Sequence, residues 1–139
     1  MMWVVDTCIL LDVALNDVTF ALASAHKLDE LREQGLCVCP VTLVELAPAF
    51  KGNINHIHHF LDHVGINYES NWQSNDTENA IGAWASYVNA RRARLAPKRP
   101  IADMMIGAFA QSRGGLITRN PNDFAMWFPK LPIVNPVLS

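Results

Sequence analysis

Five residues scattered along the chain have side chains suited to acting together: Asp6, Glu45, Asp103, Asn120 and Asp123. Asp6 ends the apolar run Met2–Val5, Glu45 lies among Val41, Leu43, Val44 and Leu46, and Asp103 lies among Ile101, Ala102, Met104, Met105 and Ile106. Carboxylates in such apolar company rarely stay unpaired, and few basic residues lie near them in sequence. Three carboxylates within about 5 Å of one another repel by roughly 3 kcal/mol per pair at an effective dielectric of about 20. The total, on the order of 10 kcal/mol, matches the whole stability of a domain. Protonation relieves some of this and a divalent cation relieves most of it. An all-oxygen donor set selects magnesium or manganese over zinc. Each acid also has a purely structural reading. Asp6 suits an N-cap, Thr42 and Glu45 match a capping box, Asp103 suits a helix dipole, and Asp123 suits the cap of a short helix over Phe124–Phe128.

The elements that must bring these residues together alternate between strands and helices. Met2–Val5 reads as a short apolar strand. Thr19–Gln34 reads as an amphipathic helix closed by Gly35, and Leu36–Cys39 as a buried strand. Thr42–Phe50 and Ile54–Val64 read as helices, the second ended by Gly65, with a short strand at Ile66–Tyr68. The longest helical pattern runs from Asn75 to Arg94, started by Ser74 or Asp76 and stopped before Pro97. Pro100 opens an almost wholly apolar helix from Ile101 to about Ser112, and Gly114-Gly115 turns the chain into a strand at Leu116–Thr118. A last strand, Ile133–Val134, sits between Pro132 and Pro136. This alternation implies an α/β fold, a three-layer α/β/α sandwich with a mainly parallel sheet. In such sheets ligands bind beyond the carboxyl ends of the strands, where Asp6, Asn120 and Asp123 fall.

At 139 residues the expectation is one domain, 1–139. Half the residues are apolar and 17% charged, a balance suited to a compact soluble fold rather than a disordered one. Asp6 interrupts the first apolar run, so no secretory signal is expected, and no stretch approaches the ~20 apolar residues of a membrane helix. Cys8, Cys37 and Cys39 form no disulfide framework, which fits a cytoplasmic protein with no membrane partner. Cys37 and Cys39 flank Val38 as two same-face residues of a strand. Net charge is −2, yet Arg91, Arg92, Arg94, Lys98 and Arg99 form a run without an acid, leaving six basic against thirteen acidic residues elsewhere. That run reads either as a solvated, dipole-compensating helix end or as a patch that attracts a polyanion. His56, His58, His59 and His63 crowd one helix, where a partly exposed face is favoured over a zinc site lacking further ligands.

The acids sit inside four segments that together resemble the PIN-domain family. Val4–Asp12 (VVDTCILLD) resembles its opening strand and first helix, and Val41–Ala47 (VTLVELA) the segment carrying its glutamate. Pro100–Ala110 (PIADMMIGAFA) resembles the apolar helix bearing the next aspartate, and Leu116–Phe124 (LITRNPNDF) the segment after the penultimate strand. They follow family order over nearly the whole chain. Cys8 stands where the family usually has Asn or Ser, and Asn120 where many members have a fourth aspartate. The chain's size and its TRNPNDF segment are similar to the VapC-like and FitB-like toxins of toxin–antitoxin pairs. The resemblance implies a metal-dependent endoribonuclease that leaves a 5′-phosphate, forms a homodimer and is neutralised by a small antitoxin.

On that reading Asp6 and Asp103 hold one Mg²⁺ or Mn²⁺, with Glu45 completing the shell directly or through water. Asn120 or Asp123 helps place a second ion. Thr7 and Thr118 hydrogen-bond a carboxylate or the phosphate, while Arg119 and the run Arg91, Arg92, Arg94, Lys98 and Arg99 hold RNA backbone. Two other classes compete. One is an acid-based phosphatase or phospho-accepting receiver, but Cys8 occupies the second aspartate of the phosphatase's Asp-x-Asp, and Lys130 beside Pro129 lies outside any strand. The other is a catalytically weak module of the same fold that only binds RNA or an antitoxin, a reading that Asn120 favours.

Overall fold

The structure, a computed structural model, describes residues 2–137. The ends of the expected 1–139 domain, Met1 and residues 138–139, lie outside the described residues. Four strands, β1 (Met2–Val5), β2 (Leu36–Cys37), β3 (Gly114–Ile117) and β4 (Ile133–Val134), form one sheet in the order β2-β1-β3-β4. Every pairing is parallel. The helices are α1 (Thr7–Ala14), α2 (Ala21–Leu31), α3 (Pro40–Glu45), α4 (Ile54–Val64), α5 (Ser74–Arg92), α6 (Ile101–Arg113) and α7 (Asn122–Ala125).

The sheet separates two cores because successive strand residues face opposite sides. Val4, Cys37 and Leu116 face a core with Tyr87 of α5, Met104, Ile106 and Phe109 of α6, and Phe124 of α7. Trp3, Val5, Leu36 and Ile117 face the other core with Ile9 and Leu10 of α1, Leu28 and Leu31 of α2, and Ile57 and Leu61 of α4. This is the three-layer α/β/α sandwich with parallel strands that the alternating pattern implied. Close approach sets two glycines. A Cβ on Gly115 would run into the Trp3 indole, and one on Gly107 would strike the Phe128 ring.

Several element boundaries differ from the sequence pattern, each for a local reason. The strand expected over Leu36–Cys39 pairs only through Cys37, because Cys39 is already the N-cap of α3 with Pro40 at its first turn. Cys37 and Cys39 still enter the same core while Val38 enters the other. The strand expected at Ile66–Tyr68 is a single parallel bridge between Asn67 and Cys37. The helix expected from Thr19 begins at Ala21, since Asp17 Oδ1 accepts from the Thr19 and Phe20 amides in a turn, and it tightens to 3₁₀ geometry over Arg32–Gln34. The single helix expected over Thr42–Phe50 is instead α3 followed by a 3₁₀ turn over Ala47–Phe50 that contains Pro48. Helix α5 starts after Gln73, whose side chain and that of Asp76 form the capping box, and Arg94 lies beyond its end at φ 58°. The strand expected at Leu116–Thr118 runs from Gly114 to Ile117, and the last short helix is Asn122–Ala125 rather than Phe124–Phe128.

Candidate active site

The sheet order places a topological switch point between β1 and β3, and ligands of open α/β sheets bind there. Register does the rest. Val5 pairs with Ile117, so the next residues, Asp6 and Thr118, emerge side by side at the carboxyl edge. The Asp6 amide donates to the Ile117 carbonyl at 2.9 Å, and the Thr118 amide to Val134 at 3.0 Å. A one-residue slip of either strand would turn its side chain to the other face and part the pair.

Asp6 is the N-cap of α1, taking the Thr7 amide at 2.8 Å on Oδ1. Its Oδ2 accepts the Thr118 hydroxyl at 2.7 Å and faces the Cys8 thiol at 3.4 Å. Burial pushes the Asp6 carboxyl above its ordinary range. The Thr118, Cys8 and Thr7 donors pull it back, while Glu45 adds to the rise. The cap is therefore real, yet it leaves a carboxylate short of positive charge. Burial, with the Asp6 charge beside it, also raises the Cys8 thiol to about 12, so it stays a neutral donor.

Glu45 is the last residue of α3, not part of its first turn. The capping-box reading fails because the N-cap is Cys39 and Thr42 is buried inside the helix. What Glu45 meets is Thr7, whose hydroxyl donates to Oε1 at 2.6 Å and stands 3.0 Å from the Thr42 hydroxyl. The contact ties the end of α3 to the start of α1, beside Asp6.

Asp103 lies in the first turn of α6, partly buried. Its carboxyl is raised to about 6, first by burial and then by the charges of Asp6, Asp123 and Glu45, with Arg99 opposing them. Four acids separated by up to 117 positions in sequence thus share one electrostatic neighbourhood. Asp123 lies in α7, whose N-cap is Pro121, and its Oδ1 is 2.6 Å from Arg99 Nη2. Asn120 is exposed. Its amide donates to the Thr118 hydroxyl at 3.1 Å and its side chain reaches the Cys8 sulfur at 3.8 Å.

The basic residues divide. Arg119, expected to hold RNA backbone, is closed onto Asp12 through Nε at 2.7 Å and Nη2 at 3.0 Å, with its guanidinium over the Phe20 ring. The buried Asp12 carboxylate also accepts from Ser24, and satisfying it explains why Arg119 turns inward. Arg91 donates to the Ala96 carbonyl, while Arg92, Arg94 and Lys98 are exposed. The histidines do not converge on the acids. His58 stacks on Tyr68, and His56, His59 and His63 border a groove with Phe50 and Phe60. The roles of Asp12 and Thr42 were missed from the sequence. Asp12, a lone acid on an apolar helix, did signal a need for a buried cation.

The acid cluster fits a hard divalent cation in chemistry: every charged donor is an oxygen, and burial together with the neighbouring acids already opposes the Asp103 charge. Among the described residues no three His, Cys, Asp or Glu side chains stand close enough to enclose an ion unaided. The acids would therefore have to draw together around it.

No curated protein matches this chain. A chain of the solved structure of VapBC2 from Rickettsia felis, bound to a DNA fragment from their promoter, superposes with a TM-score of 0.70. The match covers 97% of this chain and 98% of that one at 15% identity, a likeness of fold. A family model, the PIN domain, matches residues 3–125 and so spans all four acids. By that match the chain belongs to the PIN domain family.

Proposed function

We propose that this protein is a Mg²⁺- or Mn²⁺-dependent endoribonuclease that serves as the toxin of a toxin–antitoxin pair. PIN domains are in general nucleases that use divalent metal ions. The observation that carries the reading is the gathering of Asp6, Glu45, Asp103 and Asp123 at the switch point of the sheet, where the Asp103 carboxyl is raised first by burial and then by the other three acids.

Asp6, Asp103 and Glu45 would hold the ion. When bound, it would supply an acidified water as nucleophile and charge stabilisation for the leaving 3′-oxygen of an RNA phosphodiester, leaving a 5′-phosphate. The protein's own groups arrange the site. Thr118 and the Thr7 amide fix both oxygens of Asp6, and the Thr7 hydroxyl fixes Glu45. Their role is to hold the carboxylates in place rather than to touch substrate. Asn120, exposed beside Cys8, faces incoming RNA. Arg92, Arg94 and Lys98, with Arg91 beside them, offer exposed cations to its backbone. Arg119 supports the site from behind through Asp12.

The VapBC2 likeness supports a small antitoxin as partner. We further infer a homodimer as the working assembly and the cytoplasm as its compartment. Among the described residues no helix is long and apolar enough to cross a membrane. Asn120, with its amide near sulfur rather than a carboxylate, favours a second reading in which the chain binds RNA or antitoxin with little catalysis. One assay separates them. Incubation of single-stranded and stem-loop RNA with Mg²⁺ or Mn²⁺ should give cleavage that chelator suppresses and Asp103→Asn abolishes. Binding without cleavage under every metal would refute the nuclease reading.

A further inference from the structure

Arg99 differs from the rest of the basic run. Its backbone amide donates to the hydroxyl of Tyr87, a buried residue of α5, and it immediately precedes Pro100, the N-cap of α6. The main chain is therefore fixed on both sides, one turn from Asp103. Its guanidinium reaches α7 and meets Asp123 at 2.6 Å, with the two side chains 30% and 21% exposed. The other ion pairs among the described residues lie elsewhere: Lys27–Glu30 on α2, Arg113–Asp76 between α6 and α5, and Arg119–Asp12 behind the Asp6 edge. The acid cluster thus has one charged partner of its own, held by Asp123. A partly exposed pair of this kind contributes little to the fold, so its consequence falls on the site.

We propose that Arg99 is a tethered counter-ion that neutralises Asp123, competes with the divalent cation for the acid cluster, and transfers to the phosphodiester when substrate enters. The proposal rests on the metal-centre reading above and adds a regulation to it. Arginine suits the transfer because its planar fork bonds a carboxylate or a phosphate equally well. While Asp123 is engaged, the cluster offers the ion Asp6, Glu45 and Asp103. A phosphate that draws Arg99 away returns a fourth negative charge to the cluster as the scissile group arrives. Metal affinity and substrate binding are then coupled, and by linkage the coupling is reciprocal.

The test is direct titration of Mn²⁺, by calorimetry or by the electron paramagnetic resonance of the free ion, into the intact protein and its variants. Thermal melts would confirm that each is folded. Arg99→Gln is expected to bind Mn²⁺ about tenfold more tightly, since one nearby positive charge is gone. Arg99→Lys, which keeps the charge, is expected to stay within about twofold of the parent. Asp123→Asn removes the acid but leaves the guanidinium, so it is expected to weaken binding; this variant keeps the test open should Arg99→Gln not fold. Unchanged or weaker affinity in Arg99→Gln, with Asp103→Asn losing binding as the metal reading requires, would overturn the proposal alone. Undiminished binding in Asp103→Asn would overturn the metal-centre reading and the proposal with it.

Discussion

Replacing Asp103 by Asn should stabilise the metal-free protein while destroying its activity. The side chain keeps its shape and loses a charge that burial and three neighbouring acids oppose. A carboxyl held at about 6 in the fold, against an ordinary 3.8, disfavours its charged form at neutral pH by roughly 3 kcal/mol. Because Asp103 is only partly buried, solvent screening lowers this to about 1–2 kcal/mol. The sign follows from linkage. The folded state binds the proton more tightly than the unfolded chain, so this contribution is fully present below about pH 4 and is lost as pH rises through about 6. Urea melts in chelator should therefore show the parent losing stability between about pH 4 and pH 7 relative to Asp103→Asn, with the variant the more stable by about 1–2 kcal/mol at pH 7.5. Adding Mg²⁺ should reverse the ranking. Ligand at a hundred times its Kd stabilises the parent by about 2.7 kcal/mol, and the variant should gain little. A variant less stable than the parent in chelator, with a parallel pH profile, would refute the claim that burial and the neighbouring acids together oppose the Asp103 charge.

Other perturbations probe the supports. Arg113 bonds the fully buried Asp76 at 2.8 Å and lies over the Phe109 ring, so Arg113→Met should cost about 3–5 kcal/mol in chemical melts by leaving Asp76 unpaired. Burial alone would raise Asp76, but Arg113, the Gln73 amide and Ser112 hold it below 3.8; its contribution is present above that pH and is lost as acid passes the folded value, a loss that an acid titration of Asp76→Asn should lack. Arg119→Ala should lower thermal stability through Asp12 yet leave the salt dependence of RNA binding unchanged, whereas a shallower salt slope would show that Arg119 does contact phosphate. Gly107→Ala drives a methyl into the Phe128 ring and should destabilise by about 1–3 kcal/mol, read from the urea midpoint.

The sequence pattern made the layers legible because strand alternation and helix periodicity each report which face is buried, and burial decides the sandwich. Asp6, Glu45 and Asp103 were legible as candidates because an acid among apolar residues needs a partner, and Asp123 because it follows the carboxyl end of a strand. What the pattern did not carry was the partner itself. Thr42-x-x-Glu45 satisfies the spacing of a capping box, and only the placement of Pro40 at the helix start shows that Thr42 is interior. Strand Leu36–Cys39 alternates correctly, yet its pairing with β1 stops at Cys37, with only the Val38 amide still bonding the Asn67 carbonyl, because the chain must turn into α3. Arg119 and Arg99 look alike in sequence, each near an apolar element and an acid.

Their difference arises from depth. Asp12 is 4% exposed, and an uncompensated carboxylate there would cost several kcal/mol, so Arg119 must turn inward and stay. Asp123 is 21% exposed and water can solvate it, so Arg99 is held there by attraction alone and a phosphate can compete for it. Two ion pairs of similar length thus flank one acid cluster, and burial makes one a fixed brace and the other an exchangeable charge. The fixed pair supports Thr118 next to it in sequence, and through Thr118 the orientation of Asp6. The exchangeable pair sets how much negative charge the cluster presents. The same chemical contact serves position in one case and electrostatics in the other.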